Sequence, residues 1–135
     1  MVLITPVNEH FRQLAVQGVT VEDICREPML LREKGSGSKK CINAYFQQMG
    51  VEESRLTITA RLNDQESIKN LVAGGLGVSI ISEKAAEDAR DAGRLLTFAL
   101  PGDGAQRRLY AACRRGAPVN RQTRQFLDFV IGFYQ

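Results

Sequence analysis

The stretch LTITARLNDQESIKNLVAGGLGVSIIS, residues 56–82, decides the fold of this chain. Its first seven residues alternate. Leu56, Ile58, Ala60 and Leu62 face one way and Thr57, Thr59 and Arg61 the other, the pattern of a half-buried strand. Asn63-Asp64-Gln65-Glu66 follows, with Asn63 and Glu66 at capping-box spacing. Behind it Ile68, Leu71 and Val72 make the inner face of a helix that ends at Gly74-Gly75. After Gly77 the run to Ile81 is nearly all apolar, which suits a strand covered on both faces.

The same alternation continues outward. Upstream, Pro28 opens a strand, Met29-Leu30-Leu31-Arg32, and Glu33-Lys34-Gly35-Ser36-Gly37-Ser38 is a Gly/Ser loop. The next helix has Ile42, Tyr45, Phe46 and Met49 on one face, and Gly50 sits where a C-terminal cap belongs. Further out, Val2–Thr5 reads as a strand, residues 6–18 as loop with some structure, and Thr20–Ile24 as a short helical turn boxed by Thr20 and Asp23. Downstream, Ser82 caps a helix through Ala89 that Gly93 stops, and Leu95–Leu100 is a strand closed by Pro101-Gly102-Asp103-Gly104. Leu109–Cys113 is a further strand. Asn120 starts a last helix whose inner stripe is Phe126, Phe129, Val130 and Phe133. Strands alternating with short helices predict α/β units around a mostly parallel sheet.

Composition narrows the function. The 135 residues suit one ordinary domain, and 44% hydrophobic with 24% charged is a globular balance, not a disordered one. No run approaches the roughly 20 apolar residues that cross a bilayer, and the start carries no secretory signal pattern. Cys25, Cys41 and Cys113 form no CxxC pair, and His10 is the single histidine. A disulfide framework, a zinc site and any two-histidine mechanism are therefore not indicated. The net charge of +3 hides an asymmetry: residues 1–100 sum to −1 and residues 101–135 to +4. The six basic residues of that end are all Arg: Arg107, Arg108, Arg114, Arg115, Arg121 and Arg124. They neither interleave with aromatics nor form one run, so they read as a solvated surface before they read as a nucleic-acid contact.

Two turns carry the functional argument, because ligands of parallel α/β sheets bind beyond the carboxyl ends of strands. In the first, Gly35 and Gly37 permit a tight turn, Ser36 and Ser38 add hydroxyls, and Lys39 and Lys40 add charge at a helix amino end. That combination favours a carboxylate or phosphate. It equally fits a turn shaped by the glycines with Ser38 as a plain cap. The turn is no Walker A loop, and Gly75-Leu76-Gly77 enters a strand from a helix, the reverse of a dinucleotide fingerprint. In the second turn, Asn63 either caps its own helix or offers its amide to a ligand. Catalytic groupings are poor. Ser36 and Ser38 have no evident base, Asp64 and Glu66 read as partners of the helix dipole, and Cys41 as a small hydrophobe.

The residues of the first turn with their strand, Glu27 to Lys39, and the stretch Asn63 to Ser82 with Ile68-Lys69-Asn70-Leu71-Val72 and Gly75-Leu76-Gly77-Val78, resemble the second effector subdomain of LysR-type transcriptional regulators. Arg114-Arg115-Gly116 followed by Phe126-Leu127-Asp128-Phe129 is similar to the family's ending, and the opening around His10 to the stretch before that subdomain, with His-Phe in place of the usual His-Pro.

The resemblance implies a type 2 periplasmic-binding-protein-like α/β fold. Residues 28–107 would be one complete Rossmann-like subdomain, and 1–27 and 108–135 remnants of another. It implies a fragment without the helix-turn-helix, so that DNA is bound only through a missing N-terminal region. It also implies a cytoplasmic, homo-oligomeric parent protein that is no enzyme and uses no cofactor, metal or membrane. A small effector, often a carboxylate, would sit in the cleft between subdomains and act allosterically. Gly35, Ser36, Gly37, Ser38, Lys39 and Asn63 match positions that line one wall of that cleft. The family often has Ser or Thr where Asn63 stands. The alternatives are a solute-binding protein of the same fold and a small enzyme acting on a phosphate ester.

Overall fold

The structure, a computed structural model, describes residues 1–106, 110–112, 116 and 119–133. In chain order the elements are β1 (Val2–Thr5), α1 (Glu9–Gln17), α2 (Val21–Arg26), β2 (Pro28–Arg32), α3 (Gly37–Gln48), a 3-10 turn (Glu53–Arg55) and β3 (Thr57–Leu62). They continue with α4 (Gln65–Ala73), β4 (Ser79–Ile81), α5 (Glu83–Asp91), β5 (Leu96–Ala99) and α6 (Arg121–Phe133).

β2 and β3 pair in parallel, and β1 lies between β4 and β5, antiparallel to both. A parallel bridge from Met29 to Val78 joins the two groups, with Leu30 N–H on Val78 O and Val78 N–H on Pro28 O, each at 2.8 Å. The buried hydroxyl of Ser79 adds a donor to Leu30 O at 2.6 Å. The strands thus lie in the order β3-β2-β4-β1-β5, and β1 alone runs against the others. Gly77 makes the seam possible: its φ is +146°, and a Cβ there would overlap the Pro28 carbonyl. That close approach is why the regular strand starts only at Ser79, although the apolar run starts earlier.

Side chains alternate across the sheet into two cores. Leu3, Met29, Leu31 and Ile80 pack with Phe11, Ile24, Ile42 and Phe46 from α1, α2 and α3. Val2, Ile4, Leu30 and Ile81 pack with Ile68, Val72, Ala86 and Ala89 from α4 and α5. These strands are apolar on both faces because helices cover both.

Four expectations are corrected. Residues 6–18 are not mainly loop: Asn8 caps α1, its Oδ1 accepting from Phe11 N–H at 3.0 Å. Phe11 is the one fully buried residue of that helix, so its apolar period is faint. β1 completes the sheet between β4 and β5, and Phe11 and Ile24 share its core. The stripe Phe126, Phe129 and Phe133 of α6 is more than half exposed at each position, not inner, and Val130 is half-buried. Phe133 instead meets the Lys84 ammonium, 5.1 Å from its ring centre. Ser82 stands at the amino end of α5 but makes no capping hydrogen bond with its side chain. The expected strand 109–113 falls partly outside the described residues, and Tyr110, Ala111 and Ala112 belong to no strand. Arg107, Arg108, Arg114 and Arg115 also lie outside them.

Candidate functional site

β2, β3 and β4 run in the same direction, so their carboxyl ends share one edge of the sheet. From that edge the chain enters α3, α4 and α5 by their amino ends. The two predicted turns meet there: Glu33 N–H donates to Leu62 O at 3.1 Å, tying the start of the first turn to the start of the second.

The first turn is built by Gly35, whose φ of +95° suits glycine and reverses the chain. Ser36, not Ser38, is the cap of α3: its Oγ accepts from Lys39 N–H at 3.0 Å. Ser38 lies inside the first helical turn and is buried, while Gly35 and Gly37 are exposed and Ser36 half-buried. The amino end of α3 carries no acidic residue in its first turn. Lys39 is buried, and its ammonium bonds Asn43 Oδ1 and Glu53 Oε2 at 2.7 Å each rather than reaching across the turn. Arg61 pairs with the other oxygen of Glu53. The hydrogen bond from Lys39, reinforced by Arg61, holds the Glu53 carboxyl below the usual carboxylate range.

The second turn differs from expectation by one residue. Asp64, not Asn63, caps α4, with its Oδ2 accepting from Ser67 N–H and Ser67 Oγ at 2.7 Å each. Those bonds hold the Asp64 carboxyl below its usual range. Asn63 is left exposed between Leu62 and the cap. The capping-box spacing Asn63-to-Glu66 misled here because Asp64 offers the same acceptor one residue later. The two turns are electrostatically unlike. The first has no carboxylate in the opening turn of α3, its one acidic residue being Glu33 at the start of the loop, and the second presents Asp64 and Glu66 beside the neutral Asn63 amide.

One residue at this edge escaped the sequence reading. Arg32 ends β2 in register with Leu62, and its Nε is closed off from solvent without a hydrogen-bond partner. In the sequence it looks like a solvated charge closing a strand. Only burial distinguishes it.

Of the six predicted residues, Gly37 borders a cavity of about 610 Å³ that runs along α3 past Lys40, Cys41 and Tyr45 to Ala105 and Tyr110. The other five lie outside it. Among the described residues no three His, Cys, Asp or Glu side chains gather as metal ligands would. No helix among them is long and apolar enough to cross a membrane.

Comparison with known proteins gives the family and the fold. The family model described as LysR substrate binding domain matches residues 1–134. The chain is 31% identical over 116 residues to an uncharacterized HTH-type transcriptional regulator, YeiE, of Escherichia coli K12, covering 86% of this chain and 39% of that protein. It is 30% identical over 131 residues to the HTH-type regulator MJ0300 of Methanocaldococcus jannaschii, covering 96% and 43%. The chain thus spans less than half the length of these curated relatives. Among solved structures it is similar to the effector binding domain of QuiR in complex with shikimate, with TM-score 0.76 at 16% identity, covering 98% of this chain and 59% of that one. It is also similar to the regulatory domain of Synechocystis CcmR in complex with 2-PG, with TM-score 0.71 at 21% identity, covering 98% and 61%. At these identities the likeness is one of fold, and it is the type 2 periplasmic-binding-protein-like α/β fold expected from the sequence.

Proposed function

The chain belongs to the LysR substrate-binding domain family, and on that premise we propose that it senses a small anionic effector for a DNA-binding transcriptional regulator. The hydrogen bond from Glu33 N–H to Leu62 O carries the reading, because it sets the two turns side by side at the carboxyl edge of the sheet. An anion placed there meets the amino end of α3, where amide donors and the helix dipole favour it. Gly35, Ser36, Gly37 and Ser38 form that end of the site, and Asn63 faces the rest of the ligand. Lys39 acts through position, tying the first turn of α3 to Glu53.

In this reading residues 28–107, completed by the strand and helices of 1–27, form one wall of a cleft. Residues 108–135 return to the facing subdomain. The remainder of a longer protein supplies that second wall, the DNA-binding region and the contacts of a homo-oligomer. The effector shifts the balance between two arrangements of the subdomains by binding one better than the other, which is the only way a ligand can move such an equilibrium. In this reading the domain binds its ligand without turning it over, and Ser36 Oγ serves as the cap of α3, accepting from Lys39 N–H.

Isothermal titration of the chain against a panel of small carboxylates, shikimate among them, tests the site. For a carboxylate that binds, Ser38→Ala and Asn63→Ala are each expected to weaken affinity about tenfold, the effect of one lost hydrogen bond. Unchanged affinity in both variants removes the two turns from the site.

A further inference from the structure

The cavity beside α3 is not part of either turn, yet it starts at one of them. Its near wall is one face of the helix: Gly37, Lys40, Ala44 and Tyr45 follow at helical spacing, and Gly37 is also the first residue of α3. Its far wall is the segment that leaves β5 and runs back along α3 in the opposite direction. A Cβ on Gly102 would come within 3.1 Å of Met49 Sδ, the Tyr45 hydroxyl donates to Pro101 O at 3.3 Å, and Cys41 Sγ donates to Gln106 O at 3.2 Å. These contacts fix both walls. The space between them, about 610 Å³, is the size that holds a small molecule.

The two ends of the cavity differ. At the amino end of α3, Gly37 brings the unsatisfied amides and partial positive charge of a helix start. Lys40 stands beside it, exposed, and the ion pairs among the described residues do not include it. Among the described residues no acidic side chain lines the cavity. Farther along, the lining is apolar and aromatic. Ala44 and Ala105 contribute methyl groups, and Tyr45, whose hydroxyl is already bound, contributes its ring. Tyr110 adds a second ring, 82% exposed. Asn63 belongs to the other flank of the helix. There Asn43 and Phe46 turn toward Glu53 and Leu56, ahead of β3, and Asn63 follows β3.

We propose that this cavity is the apolar subsite of the effector site, and that the effector is a planar apolar acid of the aryl carboxylate class. Its oxyanion sits at Gly37 and Lys40, its rings lie along α3 between Ala44 and Ala105, and Tyr110 covers them. A polar substituent at the acid end faces Asn63. This rests on the site assigned above. It makes the Ala44 face of α3, not the two turns, the part that selects the body of the ligand.

The probes are 2-naphthoate, its uncharged amide and shikimate, titrated into the chain while backbone amide signals are followed by NMR. 2-Naphthoate is expected to bind at least about tenfold tighter than shikimate, since it buries two apolar rings. It is also expected to bind at least about tenfold tighter than 2-naphthamide, which lacks the charge. It should shift Ala44, Ala105 and Tyr110 together with Gly35 and Gly37, and saturate all of them at one affinity. Ala44→Trp fills the cavity from an exposed position of the helix. It should reduce the preference for 2-naphthoate over shikimate at least about tenfold, and its shikimate binding reports that the variant is folded. The proposal is overturned if 2-naphthoate binds no tighter than shikimate, or if Ala44→Trp keeps the parent's preference. It is also overturned if 2-naphthoate shifts the cavity and spares Gly35 and Gly37, which would make the cavity a separate site. Where shikimate shifts the two turns while 2-naphthoate leaves Ala44 and Tyr110 still, the effector site stands and its apolar subsite does not. Where neither acid shifts either turn, the site itself falls.

Discussion

Single side chains set the entry of each helix at the proposed site, and their roles separate cleanly. Ser36 satisfies an amide that the first turn of α3 cannot satisfy internally, through its bond to Lys39 N–H. Ser36→Ala should lower the unfolding free energy by about 1 kcal/mol, the usual contribution of a serine cap. Asn63 makes no such bond, because Asp64 holds the cap of α4. Asn63→Ala should therefore change stability by less than about 0.5 kcal/mol, as an exposed substitution does. Urea denaturation of the two variants measures both. Equal losses would put the cap of α4 back on Asn63. The same separation makes Asn63 a clean probe of ligand contact, since its removal leaves the scaffold intact.

At the scale of elements, α3 is fastened to the β3 edge by Lys39 and Arg61 meeting on Glu53. The Glu53 carboxyl is held below its ordinary range in the folded state, chiefly by Lys39. A group whose folded pKa is depressed stabilises the fold above its unfolded value, and that stabilisation is lost as pH falls through the folded one. Stability should hold from about pH 7 to the top of the carboxylate range and then fall below about pH 4. Glu53→Gln should be less stable near neutrality and show a shallower acid limb. An acid limb as steep as the parent's in Glu53→Gln would take the Glu53 cluster out of the account.

The elements also show which features a sequence can display. Residues 56–82 were legible because a period of two gives way to a period of 3.6 with turn residues between. The direction of β1 was not, because Val2–Thr5 is a short apolar run that reads the same either way, and only its partners fix it. α1 was hidden by burying Phe11 alone. At the site, the Gly and Ser residues of the first turn announced themselves by type. Arg32 did not, since its character comes from the burial of one nitrogen without a hydrogen-bond partner.

At the scale of the whole molecule, the apolar stripe of α6 is the clearest mark of how the chain is used. A helical period predicts an apolar face but not what covers it, and here Phe126 and Phe129 are 64% and 69% exposed. Phe129→Ser should leave the unfolding free energy within about 0.5 kcal/mol of the parent, because little buried area is lost. It should also reduce self-association in sedimentation, since such patches drive contacts. A large loss of stability would mean that α6 is packed against its own chain.

The central claim is that the carboxyl edge of the sheet, where the two turns meet, is the effector wall. Mapping backbone amide shifts on the chain during titration with shikimate tests it most directly. The account predicts saturable shifts at Gly35, Ser36, Gly37 and Asn63, with the carboxyl ends of α4 and α5 unmoved. Shifts confined to the cavity between Ala44 and Tyr110, or a saturable response that spares both turns, would contradict it.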